Sequence, residues 1–237
     1  MIAQDMAIQE LQSLTDVPVL ERPKVSAVTK RTGTWINVAM LFAVLAIALA
    51  VRVVYINQLG YNSDEAVYAG QGAAIAQVPI LKDIFPVFRA HPLLFQFLVA
   101  LTYRFGTNDI LPRLLSVFIG LATVYLVYDI GKRLYGRPAG LLSALFLAVM
   151  PYHVVVTRQV LLDGPMVFCT TLTLYFLVRF AETERPIWLI SVGVGMGLSF
   201  LAKETSILMV GAIFAFLALS PKIKIRIVDI ILCVDSG

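Results

Sequence analysis

One short apolar stretch, HPLLFQFLVALTYRF at residues 91–105, decides the topology of this chain. A helix that crosses the hydrocarbon core of a membrane needs about 20 apolar residues, and this stretch is shorter. By length alone it is either a short span or a helix that lies along the membrane surface. Whether it crosses the membrane determines the side on which every later loop falls.

The rest of the chain is rich in apolar segments that are long enough for spans. Its residues are 59% hydrophobic and 14% charged, with a mean hydropathy of +0.85, whereas a soluble domain carries about 25% charged residues. The sequence therefore predicts an all-α polytopic membrane protein with about six transmembrane helices. The six predicted spans are residues 32–51, 110–131, 138–157, 164–178, 186–202 and 205–221.

Basic clusters between the spans indicate how residues 91–105 lie. The clusters are Lys24, Lys30 and Arg31 before the first span, KRLYGR from Lys132, and KIKIR from Lys222. Cytoplasmic loops of membrane proteins carry an excess of Lys and Arg. All three clusters fall on one side only if residues 91–105 do not cross the membrane. We therefore predict that this stretch is an interfacial helix.

This topology divides the chain into five segments. They are a cytoplasmic tail (1–31), the first span (32–54), an extracytoplasmic loop with two juxtamembrane helices (55–109), a bundle of spans two to six (110–221) and a basic cytoplasmic segment (222–237). We expect a multi-pass protein of the cell membrane with its N-terminus in the cytoplasm. Most acids and both histidines outside the tail then lie on the extracytoplasmic side. This grouping indicates either the ordinary polarity of loops or a functional site.

The stretch YNSDEAVYAGQGAAIA, from Tyr61, predicts the first juxtamembrane helix. Asn62 or Ser63 is a candidate N-cap, and Asp64 and Glu65 lie in the first turn, where acids stabilise a helix. Capping explains both acids without catalysis. A capped helix start can also hold a carboxylate rigidly at the membrane surface, so both are candidate catalytic residues. The small residues that follow predict close packing against other helices.

Two polar pairs near helix ends are further candidates. Asp163 lies at the end of the fourth span, where a carboxylate needs a partner or water. Arg158 is a candidate partner, and a helix N-cap is the alternative role for Asp163. Arg158 is also a candidate for substrate binding, as is Lys203. Lys203 and Glu204 form the turn after the fifth span; they are either an internal ion pair or, for Lys203, an anchor for a lipid phosphate.

His91 precedes Pro92, a residue that the first turn of a helix tolerates. It is a candidate helix cap, phosphate donor or metal ligand, and a lone histidine is most often structural. Arg89, two residues earlier, is a further candidate for substrate binding.

Several other classes of protein are excluded by the composition. The net charge of +4 comes from short clusters between apolar runs, without the basic stripe of a nucleic-acid-binding protein. Cys169 and Cys233 both lie in apolar runs and predict free thiols. No Cys and His spacing indicates a metal site, and residues 1–31 lack the apolar stretch of a secretory signal.

The order of these motifs resembles that of the GT-C glycosyltransferases. A first span, the acidic pair at Asp64, the HP pair at His91, the RQVLLDGP stretch containing Asp163, and LAK ending at Lys203 follow one another as in the superfamily of dolichyl-phosphate-mannose protein mannosyltransferases and aminoarabinose lipid A transferases. The resemblance covers roughly residues 33–215. It implies a first span, a large loop with two juxtamembrane helices and a bundle of further spans.

The resemblance also implies a reaction. Such enzymes move a sugar from a polyprenyl-phosphate carrier to an acceptor on the extracytoplasmic face, usually with inversion. Asp64 matches the catalytic base, Glu65 completes its motif, Asp163 matches a second acid, and Lys203 matches a residue that contacts the carrier phosphate. The superfamily has HPP where this chain has His91, Pro92 and Leu93, which leaves the role of the histidine open. Some members use a divalent metal ion and others do not.

Two alternatives stand beside the transferase hypothesis. The chain ends as an apolar run, residues 223–234, begins, so we expect it to be the N-terminal part of a longer enzyme or an inactive scaffold. A transporter subunit would need charges or broken helices within the membrane. The sequence GVGMG from Gly193 is the candidate for a broken helix, and small-residue packing also explains it.

Overall fold

A computed structural model describes residues 32–58, 60–85 and 91–219. The chain separates into a unit of residues 1–36 and a unit of residues 37–237, and the site lies wholly in the second. The predicted tail (1–31), the basic segment (222–237) and Arg89 lie outside the described residues.

The described residues are helical and contain no strand. Ten α-helices follow one another, with a 3-10 turn at Glu204–Ser206 before the last. They are α1 (Thr32–Val53), α2 (Ser63–Ile75), α3 (Leu81–Ile84), α4 (Leu94–Thr102), α5 (Ile110–Tyr135), α6 (Arg137–Val149), α7 (Pro151–Arg158), α8 (Asp163–Thr183), α9 (Pro186–Ala202) and α10 (Ile207–Leu219).

Three of these helices are long and apolar enough to cross a membrane. They are α1 from Trp35, α5 and α8, and the pair α6 and α7 meets the same criterion when its two helices are taken together. Large apolar side chains such as Phe42, Phe118 and Phe146 are exposed on these helices, as expected for surfaces that face lipid. The helices α9 and α10 are shorter, so the count of six spans stays a prediction.

The predicted third span, residues 138–157, is not one straight helix. The axes of α6 and α7 differ by 63°, and the break lies at Met150, before Pro151. A proline lacks the N–H that would continue the helix, and its ring obstructs the preceding turn. Pro151 was the signal in the sequence that could have indicated the break.

A buried arginine of α1 holds the break in place. The Arg52 Nη1 donates hydrogen bonds to the carbonyls of Ala48 and Ala148, at 2.8 and 3.0 Å. Its Nε donates to Thr157 Oγ1, and its Nη2 lies 2.8 Å from His153 Nδ1. Arg52 is fully buried. A carbonyl freed at a kink within a membrane needs such a donor, so Arg52 joins α1 to both halves of the bent pair.

Two helices predicted in the first loop correspond to α2 and α4, which pack against each other; their position at the membrane surface stays a prediction. Small residues of α2 allow the close approach: a Cβ on Gly72 would lie 2.5 Å from Val99 Cγ1 of α4. The expectation of a tightly packed helix is confirmed. Pro92 does not lie in the first turn of α4, since that helix begins at Leu94 without a side-chain cap.

The ends of five helices meet at one end of the bundle. Arg158 of α7 donates to the carbonyls of Val54 and Tyr55, just after α1, at 3.2 and 3.1 Å. Arg113 of α5 donates to the carbonyl of Ile56 at 2.7 Å. The start of α8 contacts the end of α9 through Asp163 and Lys203. We call this the polar end of the bundle.

Candidate active site

The start of α2 is fixed by a capping box. Asn62 is the N-cap, and its Oδ1 accepts a hydrogen bond from the Glu65 backbone N–H at 2.9 Å. Glu65 Oε2 accepts in return from the Asn62 backbone N–H at 3.3 Å. This reciprocal arrangement satisfies two N–H groups that the first turn leaves free. The predicted N-cap is therefore confirmed as Asn62.

Glu65 also connects α2 to two other segments. Its Oε1 accepts from Arg113 Nε and from the Val160 backbone N–H, both at 3.0 Å, and its Oε2 accepts from Arg113 Nη2 at 3.0 Å. Both side chains of this ion pair are buried. We call Glu65, Arg113, Asn62 and the Val160 amide the Glu65 latch. The latch fixes α2 to α5 and to the link that leads into Asp163.

Asp64 has different surroundings from its neighbour. It is exposed, and in the described parts of the chain it makes neither a hydrogen bond nor an ion pair. Tyr68, one turn further along α2, lies within electrostatic range of it. The latch therefore holds the helix while the Asp64 carboxylate stays open to a ligand.

Asp163 and Lys203 form an ion pair across two helix ends. Lys203 Nζ lies 2.9 Å from Asp163 Oδ1, and about a quarter of each side chain is exposed. Burial acts to lower the pKa of Lys203, but the hydrogen bond and charge of Asp163 outweigh it and raise this pKa. The predicted pairing of Asp163 with Arg158 is wrong, because the Arg158 side chain donates instead to the carbonyls that are left free after α1. Asp163 opens α8, whose N-cap is Leu162.

His91 and Glu204 form a second pair in the same region. His91 Nδ1 lies 2.8 Å from Glu204 Oε1, and both side chains are more than one-third exposed. A hydrogen bond from its own backbone lowers the pKa of Glu204 against the effect of burial, and His91 and Lys203 add to the lowering. Two of the predicted roles are not found: His91 does not cap α4, and Glu204 pairs with His91 and not with Lys203. The other roles predicted for His91 and Lys203 stay predictions.

Tyr68 lies at the centre of these groups. Its ring meets the His91 ring edge-on at 6.3 Å between centroids. Burial, then the charge of Asp64, raises the pKa of its phenol, with Asp163 and Glu204 adding and Lys203 opposing. We call Asp64, Tyr68, His91, Asp163, Lys203 and Glu204 the polar cluster. Three carboxylates, one amine, one imidazole and a protonated phenol thus share one surface.

The structure separates the sequence-predicted residues into two groups. Asp64, Asp163, Lys203 and His91 belong to the polar cluster, whereas Glu65 is part of the latch and Arg158 lines a neighbouring cavity. Tyr68 and Arg113 were missed. The position of Tyr68 four residues after Asp64, on the same helix face, was an available signal. Nothing local in the sequence indicates that Arg113 reaches Glu65.

A resident metal ion has no evident ligand set in the described residues. They contain no group of three or more His, Cys, Asp or Glu side chains placed to hold one. Lys203 and His91 already occupy oxygens of Asp163 and Glu204. We therefore assign no step of the reaction to a metal ion.

Comparison with known proteins gives the family. Residues 90–234, well over half of the chain, match the family model described as dolichyl-phosphate-mannose-protein mannosyltransferase. The matched region contains His91, Asp163 and Lys203, and Asp64 precedes it.

Three curated relatives match the chain. An uncharacterized protein of Aquifex aeolicus (strain VF5) is 24% identical over 202 residues, covering 79% of this chain and 40% of the relative. Two Bacillus subtilis (strain 168) proteins are similar: "Putative mannosyltransferase YycA" is 31% identical over 43% of this chain and 14% of its own length, and "Putative mannosyltransferase YkcB" is 29% identical over 53% and 18%. The chain thus spans less than half of the length of each relative.

The apolar helices and the family match agree with each other. The chain belongs to the dolichyl-phosphate-mannose-protein mannosyltransferase family of GT-C glycosyltransferases.

Proposed function

We propose that the chain is part of a membrane glycosyltransferase that moves a sugar from a polyprenyl-phosphate donor to an acceptor, with inversion, at the extracytoplasmic face. The single observation that supports this most is the exposed Asp64 carboxylate, unpaired within the described residues and held beside the Asp163–Lys203 pair around Tyr68. The polar end of the bundle suits a donor whose tail stays in lipid while its head group reaches water.

The reaction needs no protein nucleophile. The acceptor hydroxyl attacks the anomeric carbon, the bond from that carbon to the phosphate oxygen breaks, and the sugar passes to the acceptor with inverted configuration. Asp64 takes the proton of the acceptor hydroxyl as the new bond forms. The electron pair of the broken bond leaves with the polyprenyl phosphate.

Lys203 supplies positive charge for the leaving phosphate. Asp163 keeps the pKa of the amine raised, and a fixed cation stabilises charge that develops in the transition state. Tyr68 stays protonated because burial and the surrounding carboxylates raise its pKa, so its phenol can donate a hydrogen bond to a substrate oxygen. His91 is exposed enough to contact a substrate and is held by Glu204.

Glu65 has a different role in this proposal. Both of its oxygens accept hydrogen bonds from the other members of the latch, which are Arg113, Asn62 and the Val160 amide. A general base needs a lone pair that is free to take a proton. We therefore assign Glu65 to positioning Asp64 and assign the base function to Asp64.

The test is an isotope transfer assay with the Asp64→Asn variant. The full chain is reconstituted in vesicles with labelled polyprenyl-phosphate mannose and a crude membrane acceptor fraction. Loss of a general base lowers the rate by about 10²- to 10⁴-fold, and an exposed substitution changes stability by less than about 0.5 kcal/mol. Asp83→Asn, at another exposed acid, is the matched control and keeps the unaltered rate.

The assay also separates the alternatives. Unchanged transfer by Asp64→Asn would remove Asp64 from the mechanism. No labelled product from the unaltered chain would support the inactive scaffold. Movement of labelled sugar across the vesicle membrane without a covalent product would support a transporter.

A further inference from the structure

A cavity lies beside the polar cluster, on the Asn62 and Glu65 side of the first turn of α2. Its volume is about 630 Å³, which is within the range of small-molecule sites. The segment that follows α1 forms most of its wall, and the end of α7 with Gln159, together with Glu65 and Arg113, contributes the rest. Asn62, which lines it, precedes Asp64 by two positions, so a molecule held there lies next to the turn that carries the proposed base.

The lining is polar in a way that suits a carbohydrate. Three carboxamides line it, those of Gln58, Asn62 and Gln159. A carboxamide both donates and accepts hydrogen bonds, as each sugar hydroxyl also does. The rings of Tyr55 and Tyr61 line the same cavity, and aromatic rings provide flat apolar faces for the C–H surface of a sugar ring.

The charge of the lining favours an anionic ligand. Glu65 and Arg113 are paired with each other and cancel. Arg158 lines the cavity and donates through Nη2 to two uncharged carbonyls, those of Val54 and Tyr55. Among the described residues no carboxylate pairs with it, and its Nε and Nη1 make no hydrogen bond there. The guanidinium therefore offers two free donors, Nε and Nη1, and no carboxylate of the described residues neutralises it, so it can donate charge-assisted hydrogen bonds to a phosphate or carboxylate.

The backbone of Tyr55 is unusual at the rim of this cavity. Its φ is 57°, in the left-handed region that is unfavourable for residues with a Cβ. Glycine would end α1 there at lower cost. The chain instead keeps a tyrosine whose side chain is 68% exposed. The tyrosine places an exposed ring, which glycine would lack, at the rim of the cavity.

We propose that this cavity binds a saccharide that carries a phosphate or carboxylate group, with Arg158 holding the anionic group and Tyr55 covering the sugar ring. Such a ligand is the acceptor end of the reaction, an assignment that rests on the proposed function. The binding itself does not depend on catalysis.

Calorimetric titration of the full chain in detergent tests the site. The probes are mannose 6-phosphate, glucuronate, mannose and inorganic phosphate. We expect the two charged saccharides to bind about 10-fold or more tightly than mannose, since a charge-assisted hydrogen bond contributes at least that much. A preference for mannose 6-phosphate over glucuronate identifies a phosphorylated ligand, and the reverse identifies a uronic acid.

The variants assign the binding to named residues. Arg158→Gln removes the preference for charged saccharides, and Arg158→Lys, which keeps the positive charge but cannot also bind the carbonyls of Val54 and Tyr55, retains part of it. Tyr55→Gly weakens the binding of all three saccharides by about 10-fold while raising the melting temperature, because it removes the ring and the strain together. Arg104→Gln, at an exposed arginine outside the cavity lining, leaves binding unchanged.

Two results would overturn the inference. One is inorganic phosphate binding as tightly as the charged saccharides, which indicates an anion site without sugar recognition. The other is saccharide binding that survives both Arg158→Gln and Tyr55→Gly. Asp64→Asn separates this inference from the proposed function, because we expect this variant to keep saccharide binding while it loses transfer. Saccharide binding by an unaltered chain that shows no transfer would leave the cavity site intact and tell against the proposed function alone.

Discussion

Asp64 and Glu65 are neighbours in the first turn of α2, and their surroundings are opposite. Glu65 is 1% exposed and accepts hydrogen bonds from Arg113, Val160 and Asn62. Asp64 is exposed and unpaired within the described residues. Consecutive residues of an α-helix point about 100° apart, so one face of the turn packs while the next meets solvent. The same turn thus holds one acid in buried contacts between helices and leaves the other exposed to solvent.

The division also separates what each acid contributes to folding. Removing one partner of a buried ion pair leaves an uncompensated charge and costs about 3–5 kcal/mol. Changing an exposed, unpaired side chain costs less than about 0.5 kcal/mol. The comparison can therefore be tested by measuring stability and activity on the same variants.

The largest effect is expected for Glu65→Gln. The substitution keeps the shape of the side chain but leaves Arg113 buried without its counter-charge, so we expect a loss of about 3–5 kcal/mol in the free energy of unfolding. Unfolding of the purified chain in detergent, followed by tryptophan fluorescence or by calorimetry, measures it. Activity is lost together with the fold.

The control is Glu182→Gln. Glu182 pairs with Arg133 and Arg179 and is about one-third exposed, so its removal costs at most about 1 kcal/mol. The double variant Glu65→Met with Arg113→Met is expected to recover part of the stability lost by Glu65→Gln, because apolar pairs can replace buried ion pairs. If Glu65→Gln and Glu182→Gln were equally stable, the buried pair of Glu65 and Arg113 would contribute no more to folding than the partly exposed pairs of Glu182 do.

A smaller effect is expected for Arg113→Lys. Arg113 donates to both Glu65 oxygens and to the carbonyls of Ile56 and Gly60, which a single amine cannot reproduce. The charge remains, so we expect a loss of about 1–3 kcal/mol, the cost of unsatisfied buried acceptors. Transfer activity at a temperature where the variant is folded should fall much less than in Asp64→Asn. A fall as large would show that Glu65 and Arg113 act directly in the chemistry.

The local features of the site could be predicted from the sequence. Asn62 and Glu65 are three residues apart, and a capping box depends only on that spacing. The small residues of α2 predicted its close packing against α4. The order of helices predicted that Asp64, Asp163 and Lys203 lie at the same end, because consecutive spans alternate in direction.

The long-range contacts could not be predicted in the same way. Asp163 pairs with Lys203, forty positions away, and not with the nearby Arg158, because the carbonyls left free at the end of α1 bind Arg158. The roles of Asp64 and Glu65 depend on which face of α2 meets α5, and no local pattern gives that. Arg52 directly follows the charge-free run 32–51, and no local pattern indicates that it is buried against the break before Pro151 as part of the bundle.

The smallest effect is expected for the partly exposed ion pair of Asp163 and Lys203. Asp163 raises the pKa of Lys203 above its ordinary 10.5, so the folded state favours the charged amine. The stability from this pair is therefore fully present below pH 10.5 and is lost as pH rises through the raised pKa. We expect the unaltered chain to exceed Lys203→Met by about 0.2–1 kcal/mol at pH 8, and the difference to shrink above pH 10.5. Unfolding in detergent across this pH range measures this difference. The control is Lys82→Met, at an exposed lysine of α3, whose stability difference from the unaltered chain should not change with pH. A difference that does not change with pH would mean that the methylene stem of Lys203, and not its charge, stabilises the junction of α8 and α9.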